Sequence, residues 1–243
     1  MKKLLAATAA AVVFGAVIFC FYAAMAQDPP PPPPPPAPPQ PQPQPQPQQP
    51  KAEPQKDSPR KVLKNFYIED DEKTKSFTYK ENPQFKLYKP TDNWHFVDVA
   101  KLHSAEVKNI KDPKDREKID NFYKVCKCIM YNEELNAEAR VLVGVGLGNK
   151  TLDVIYKELK HNLSLSVKDY KELSAKNKKK GGAQGFCFVF EGTASNGEKE
   201  IYTWYLFVKN NCFYQLRIVC PEEKNKDKKV QKELEKIYSK WKF

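Results

Sequence analysis

Alternating apolar and polar residues are clearest in the last third of the chain. This period of two predicts three consecutive strands at residues 186–191, 201–208 and 213–220. Polar turns at 193–197 and 209–211 separate them, so the three strands should form an antiparallel meander. Pro221 should end the last strand because it lacks the amide hydrogen that a ladder needs.

Shorter strand patterns come earlier in the chain. The alternation predicts strands at residues 76–79, 85–88, 94–99, 122–131 and 139–145. The first two flank a turn at 81–83, and the last two flank a polar turn at 132–136. An acidic and basic alternation at 112–120 precedes the fourth strand and indicates a solvated surface.

Apolar residues spaced three or four apart predict helices at residues 151–163 and 230–241. Ser166 followed by Asp169 resembles a capping box, so we expect a second helix to start there. A basic, glycine-rich turn at 178–185 should follow it. Strands, helices, strands and a final helix predict an α+β fold, with an antiparallel β-sheet flanked by helices.

The first 26 residues indicate export. Lys2 and Lys3 precede an uncharged apolar stretch at 4–26, which ends in the small-x-small pattern Ala24-Met25-Ala26. This order predicts a signal peptide at 1–26. Residues 4–26 are also long enough to span a bilayer, so a retained anchor with the domain outside is the alternative. Lipidation of Cys20 is a third option, although Phe19 stands where a small residue is expected.

Residues 27–60 are rich in proline and glutamine. Positions 29–36 are all proline, and glutamine and proline then alternate up to Pro50. Proline fixes φ and has no amide hydrogen, so we expect a disordered linker of polyproline II character. Residues 61–243 are then predicted to form one globular domain.

The net charge of +11 favours anionic partners, such as an anionic membrane or a wall polymer. The lysines are spread over the domain, with one tight run at Lys178, Lys179 and Lys180. Aromatic residues do not alternate with that run, as stacking on single-stranded nucleic acid would require, so we expect no nucleic acid partner.

Candidate chemistry is sparse. The loop from Gly144 to Thr151 follows a strand and precedes a helix, but Asn149 stands where a phosphate loop needs glycine. His95, His103 and His161 lack the spacing of a metalloprotease helix, and no nucleophile elbow is present. We therefore expect no catalytic, cofactor-binding or metal-binding residue and no enzymatic activity.

The cysteines after residue 26 are odd in number, which disfavours a closed disulfide framework; they are Cys126, Cys128, Cys187, Cys212 and Cys220. Cys187 and Cys220 should lie on strands that flank a third strand, too far apart to bond. We expect all five to be small buried apolar residues.

Several of these segments resemble the PsbP-like family. Residues 85–94 (FKLYKPTDNW) resemble its opening hairpin, and 188–192, 201–208, 214–219 and 234–243 resemble its closing strands and helix. That family includes extrinsic subunits of photosystem II, a yeast Ran-binding protein and many exported bacterial proteins of unknown role. The resemblance covers residues 76–243. It implies an αβα sandwich and a binding or scaffolding role, and it carries over no active-site residue.

The leading functional hypothesis is therefore a non-enzymatic exported domain that binds an envelope protein. Its alternatives are a lysine-rich binder of anionic surfaces, a hydrolase with an unrecognised site, and a TonB-like transducer suggested by an anchor and a proline-rich stalk. Steep loss of binding with salt would mark the second, and a pocket holding a perturbed carboxylate or histidine would mark the third.

Overall fold

A computed structural model of the chain describes residues 59–69, 73–108, 110–146 and 150–243. The predicted signal peptide, anchor and most of the proline-rich linker lie outside these residues. Within them, the expected α+β fold is confirmed.

Nine strands form two antiparallel sheets in the described part of the chain. A small hairpin pairs β1 with β2, and the other seven strands form one sheet in the order β3-β4-β5-β9-β8-β7-β6. The strands are β1 (Ser76–Tyr79), β2 (Phe85–Tyr88), β3 (His95–Val97), β4 (Cys126–Asn132), β5 (Ala137–Val145), β6 (Lys168–Lys180), β7 (Ala183–Thr193), β8 (Lys199–Lys209) and β9 (Cys212–Pro221).

Helices cover both faces of the large sheet. They are a 3₁₀ helix (Pro59–Phe66), α1 (Val99–Val107), α2 (Pro113–Val125), α3 (Leu152–Ser166), a short α4 (Glu222–Asn225) and α5 (Lys228–Lys240). One face packs against the 3₁₀ helix, α1, α2 and α3, around Phe188 and Trp204. The other face packs against α5 and the β1–β2 hairpin, around Phe207 and Leu216. The domain is therefore an αβα sandwich with one apolar core on each side of the sheet.

Two predicted strands are shorter than expected because residues at one end of each belong to a helix or cap it. The predicted strand at 122–131 begins only at Cys126, since Phe122 and Tyr123 are buried residues of α2. The alternating charges at 112–120 belong mostly to the same helix, which Asp112 caps. The predicted strand at 94–99 ends at Val97, because Asp98 caps α1 by accepting a hydrogen bond from the Lys101 amide.

The helix predicted from Ser166 is wrong. Helix α3 ends at Ser166, and the chain then reverses into strand β6, which pairs with β7 from Lys168 to Lys180 with two register shifts. The predicted turn at 178–185 contracts to Gly181 and Gly182, whose φ angles of 57° and 77° allow a two-residue hairpin turn. Lysine, glutamate, leucine and alanine favour a helix locally, but pairing with β7 overrides this preference.

Candidate functional site: the lysine-bearing edge strand

Strand β6 is the last strand of the large sheet, and only β7 pairs with it among the described residues. Its first half is irregular, with register shifts between Lys168 and Lys171 and between Glu172 and Ser174. From Ser174 to Lys180 the register is unbroken. We call residues 174–180 the edge segment; along it, one side of the backbone faces no other strand of the described chain.

The side chains of the edge segment alternate between the two faces of the sheet. Asn177 pairs with Phe186, which lies in the core under α3, whereas Lys176 pairs with Cys187, which lies in the core under α5. Register partners share a face. The α3 face therefore carries Ala175, Asn177 and Lys179, and the α5 face carries Lys176, Lys178 and Lys180.

Three of these lysines have no carboxylate partner within the described residues. Lys176 and Lys179 are exposed, Lys178 is half-buried, and none of the three makes an ion pair there. Lys180 differs, because its Nζ donates a hydrogen bond of 2.7 Å to the Tyr238 carbonyl oxygen. Partial burial lowers the pKa of Lys180. The edge segment thus presents three ammonium groups whose charge no described carboxylate compensates.

The carboxylates beside the edge segment are already bound by lysines of α3. Glu172 Oε2 lies 2.7 Å from Lys160 Nζ, and its Oε1 accepts a hydrogen bond of 3.1 Å from the Tyr156 hydroxyl. Asp153 pairs with Lys157 at 2.8 Å. These acids therefore do little to neutralise the edge lysines, and the local charge is positive.

A groove of about 510 Å³ runs between the N-terminal part of α3 and the edge segment. Tyr156 and Phe186 line it with rings in edge-to-face contact, 5.3 Å between centroids. Leu152 adds apolar surface, and the edge segment lines the groove from Ala175 to Lys179, with Lys179 on the α3 face. The groove can therefore hold an apolar side chain inside and an acidic group outside.

Gly185 keeps this part of the sheet closely packed. A Cβ added there would lie 1.9 Å from the Leu206 carbonyl oxygen, on the neighbouring strand β8. Strand β7 can approach β8 at this point only because residue 185 has no side chain, and β7 in turn positions the edge segment.

A second polar cluster lies inside the domain, between the sheet and α1 and α2. Arg140 on β5 forms an ion pair of 2.9 Å with Glu138, and both are buried. Arg217 on β9 lies 4.0 Å over the Trp204 ring and donates two hydrogen bonds, of 3.0 and 2.9 Å, to Gln215 Oε1. Burial first, and then Arg140, lower the pKa of Arg217 to about 9.

Glu106 of α1 faces this cluster. Burial raises its pKa to about 7, although the Arg140 charge and a hydrogen bond from Tyr123 oppose the shift. Glu106 and Arg217 are each less than one-tenth exposed. Because the cluster is closed to solvent, it offers no entrance to a ligand.

The glycine-rich loop before α3 does not present a free lysine. Lys150 Nζ lies 2.8 and 2.9 Å from the two carboxylate oxygens of Glu158, and Thr151 caps α3. Gly146 has a φ of 88°, and residues 147–149, including Asn149, lie outside the described residues.

The three histidines lie on three different elements, β3, α1 and α3. His103 Nε2 lies 2.7 Å from Asp120 Oδ1, His95 stacks on Tyr67 with 4.4 Å between ring centroids, and His161 is exposed on α3. Within the part of the chain that the structure describes, no group of three or more His, Cys, Asp or Glu residues could hold a metal ion.

All five described cysteines are free and buried, as the sequence predicts. Cys187 on β7 and Cys220 on β9 lie on either side of β8. Burial raises the pKa of Cys126 to about 12 and that of Cys220 to about 12. These thiols are therefore protonated at neutral pH and serve packing.

None of the helices in the described residues is both long and apolar enough to cross a membrane. The predicted anchor at 4–26 lies outside those residues.

Comparison with known proteins gives similarity at the level of structure. No protein-family model matches the chain, and no curated protein matches it. The fold is similar to that of one solved PsbP protein, which bears out the resemblance of the sequence to the PsbP-like family. That protein is the cyanobacterial PsbP of Synechocystis, with 11% identity and a TM-score of 0.44, covering 69% of this chain and 91% of that one.

Two further solved structures are similar. One is LpqN of Mycobacterium tuberculosis, described as involved in cell envelope biogenesis, with 9% identity and a TM-score of 0.36 over 73% of this chain and 80% of that one. The other is a protein of Bacteroides thetaiotaomicron with 15% identity and a TM-score of 0.40, covering 69% of this chain and 47% of that one. At these values the similarity concerns the fold alone and says nothing about binding or catalysis.

The sequence singled out only part of the edge segment. Lys178, Lys179 and Lys180 stood out as a run, whereas Lys176, Asn177 and Tyr156 did not. The available signal was the period-two spacing of Lys176, Lys178 and Lys180, which is typical of one face of a strand.

Proposed function

We propose that the chain is an exported, non-enzymatic binding module that engages an acidic segment of an envelope protein through its edge segment. The observation that carries this proposal is a sheet edge beside a groove, with three lysines, Lys176, Lys178 and Lys179, that have no carboxylate partner among the described residues. Uncompensated charge of one sign selects partners of the other sign and speeds their encounter.

Export rests on the sequence. The signal-like residues 1–26 and the proline-rich residues 27–60 are organised as a leader and a spacer. Such an order is typical of a domain that works outside the cytoplasm, where an envelope protein is one available partner.

A non-enzymatic role is supported by the location of three titratable groups whose pKa values are shifted. Active sites place such groups where a substrate can reach them. Here Glu106, Arg217 and Cys126 have strongly shifted pKa values, and all three are closed in the core.

A second function, binding to an anionic membrane or wall polymer, is favoured by α5. Its exposed lysines are Lys228, Lys229, Lys232, Lys236 and Lys240. The groove beside the edge segment is lined by no residue of α5, so this surface fits a broad anionic surface better than a peptide.

Two charge-matched variants separate the two functions. The edge variant carries K176Q, K178Q and K179Q, and the helix variant carries K228Q, K229Q and K232Q. Binding of the purified full chain to poly-L-glutamate and to phosphatidylglycerol vesicles is measured at several salt concentrations. We expect salt-sensitive binding to poly-L-glutamate, at least tenfold weaker for the edge variant and unchanged for the helix variant.

Equal losses for both variants would show that only total charge matters and would contradict the proposal. If the chain binds vesicles but not poly-L-glutamate, and only the helix variant loses vesicle binding, the second function would replace the proposed one. A photo-crosslinker at Asn177 in intact cells, with Gln231 of α5 as the control position, then identifies the partner.

A further inference from the structure

We propose that the partner segment binds by strand addition, forming an eighth strand on the edge segment with acidic residues at every second position. This inference rests on the proposed function and names the binding mode and the partner's sequence pattern. An extended peptide that joins a sheet edge gains main-chain hydrogen bonds, and the pockets on alternate sides select its side chains.

The backbone of the edge segment suits an added strand. Its register with β7 is unbroken from Ser174 to Lys180, and no described residue hydrogen-bonds to its outer side. The bulged half of β6 before Ser174 breaks the regular spacing of amides and carbonyls, so an added strand is limited to about seven residues.

The α5 face of the edge segment requires acidic residues. Lys176 and Lys178 are two residues apart, so they project on the same face at the spacing of alternate residues in a neighbouring strand. Acidic side chains at positions i and i+2 of the added strand would lie opposite them. Opposite charges directly across two strands stabilise the pair.

The α3 face requires an apolar residue between the acidic ones. Side chains of the added strand on this face would lie over the groove lined by Leu152, Tyr156 and Phe186. A leucine-sized side chain fits a groove of about 510 Å³ and would bury apolar surface against both rings. The predicted partner pattern is therefore acidic–x–acidic–apolar–acidic.

A second copy of the same strand does not fit this edge. Two copies of β6 side by side would bring lysines against lysines, since the edge segment contains four lysines and no acidic residue. Like charges on an edge strand oppose pairing between identical edges. The same lysines that prevent self-association therefore favour an acidic strand.

The experiment uses the fluorescent peptide Glu-Thr-Glu-Leu-Glu-Thr-Glu, blocked at both ends, and the purified full chain. Two derivatives carry three N-methyl groups each, at positions 2, 4 and 6 or at positions 3, 5 and 7. Amides at alternate residues point to the same side of a strand, so only one derivative keeps the amides that face β6. We expect one derivative to bind at least tenfold more weakly and the other to bind like the parent peptide.

The outcomes separate the two proposals. Salt-sensitive binding that is equal for both derivatives would overturn strand addition while leaving acidic recognition standing. Binding of neither the parent peptide nor poly-L-glutamate would overturn the proposed function itself. A charge-reversed variant gives a further check. K176E/K178E should prefer Lys-Thr-Lys-Leu-Lys-Thr-Lys over the acidic peptide. If the variant is folded and shows no such preference, Lys176 and Lys178 do not pair with acidic residues of the partner.

Discussion

Arg140 and Arg217 lie directly opposite each other on the neighbouring strands β5 and β9, and both are buried. Two like charges in this position oppose pairing unless other groups compensate them. Glu138 binds the first guanidinium, and Gln215 together with the Trp204 ring holds the second. The closed core thus holds charges that have partners, whereas the accessible edge carries lysines without a carboxylate partner among the described residues.

Removing the negative charge of Glu138 from this buried cluster should destabilise the domain more than replacing Arg217 by an apolar residue. Glu138→Gln leaves Arg140 without its anion and is expected to cost roughly 3–5 kcal/mol. Arg217→Met removes a buried charge beside another cation but leaves the buried Gln215 Oε1 without its donor, so it should cost less than Glu138→Gln. Urea unfolding followed by circular dichroism measures both. A loss for Arg217→Met as large as that for Glu138→Gln would contradict this interpretation.

Stability should fall as the pH rises from about 4.5 to 7 because of Glu106. Its pKa is about 7 in the folded domain against an ordinary value of 4.5, so the folded state binds more protons in this window. Stability that Glu106 contributes is therefore complete below pH 4.5 and is lost as the pH approaches 7, by about 3 kcal/mol.

The Glu106→Gln variant tests this contribution. It should remove that slope and leave the domain more stable than the unmodified chain at pH 8. Glu117→Gln, on the exposed surface of α2, is the matched control and should keep the slope. Parallel pH profiles for Glu106→Gln and the unmodified chain, by urea unfolding, would show that Glu106 does not titrate as stated.

The edge variant K176Q/K178Q/K179Q should keep the stability of the unmodified chain. None of the three lysines has an ion pair among the described residues, so their loss should change the free energy of unfolding by less than about 0.5 kcal/mol. Thermal unfolding measures this change. A much larger destabilisation would mean that the lysines serve the fold, and any loss of binding would then need another explanation.

Gly185→Ala should be strongly destabilising although it adds one methyl group. The new Cβ would lie 1.9 Å from the Leu206 carbonyl oxygen and 2.7 Å from Phe207 Cδ1, so β7 must move away from β8. We expect the free energy of unfolding to fall by about 2 kcal/mol or more, because relieving the overlap requires the backbone to shift. Gln184→Ala, on the exposed neighbouring residue, is the control and should cost less than about 0.5 kcal/mol in the same denaturation experiment.

Particular residues explain why some elements were predicted correctly and others were not. The meander at 186–220 and the final helix were predictable because apolar residues recur at the period of the element that they form, as Val230, Leu234 and Ile237 do in α5. The strand expected at 122–131 was partly wrong because Phe122 and Cys126 are compatible with both periods. Only the packing of α2 on the sheet decides that residues up to Val125 are helical and that the strand begins at Cys126.

The amino-acid sequence by itself determined the α+β plan, the burial of the five cysteines and the positive charge of the domain. These depend on local periodicity, composition and the apolar character of thiols, which are all readable along the chain. Tertiary structure alone decided that residues 168–180 form an edge strand. Their side chains are mostly polar and lack a clear apolar period, so pairing with β7, across the turn at Gly181 and Gly182, had to select the strand and set the two faces on which its lysines lie.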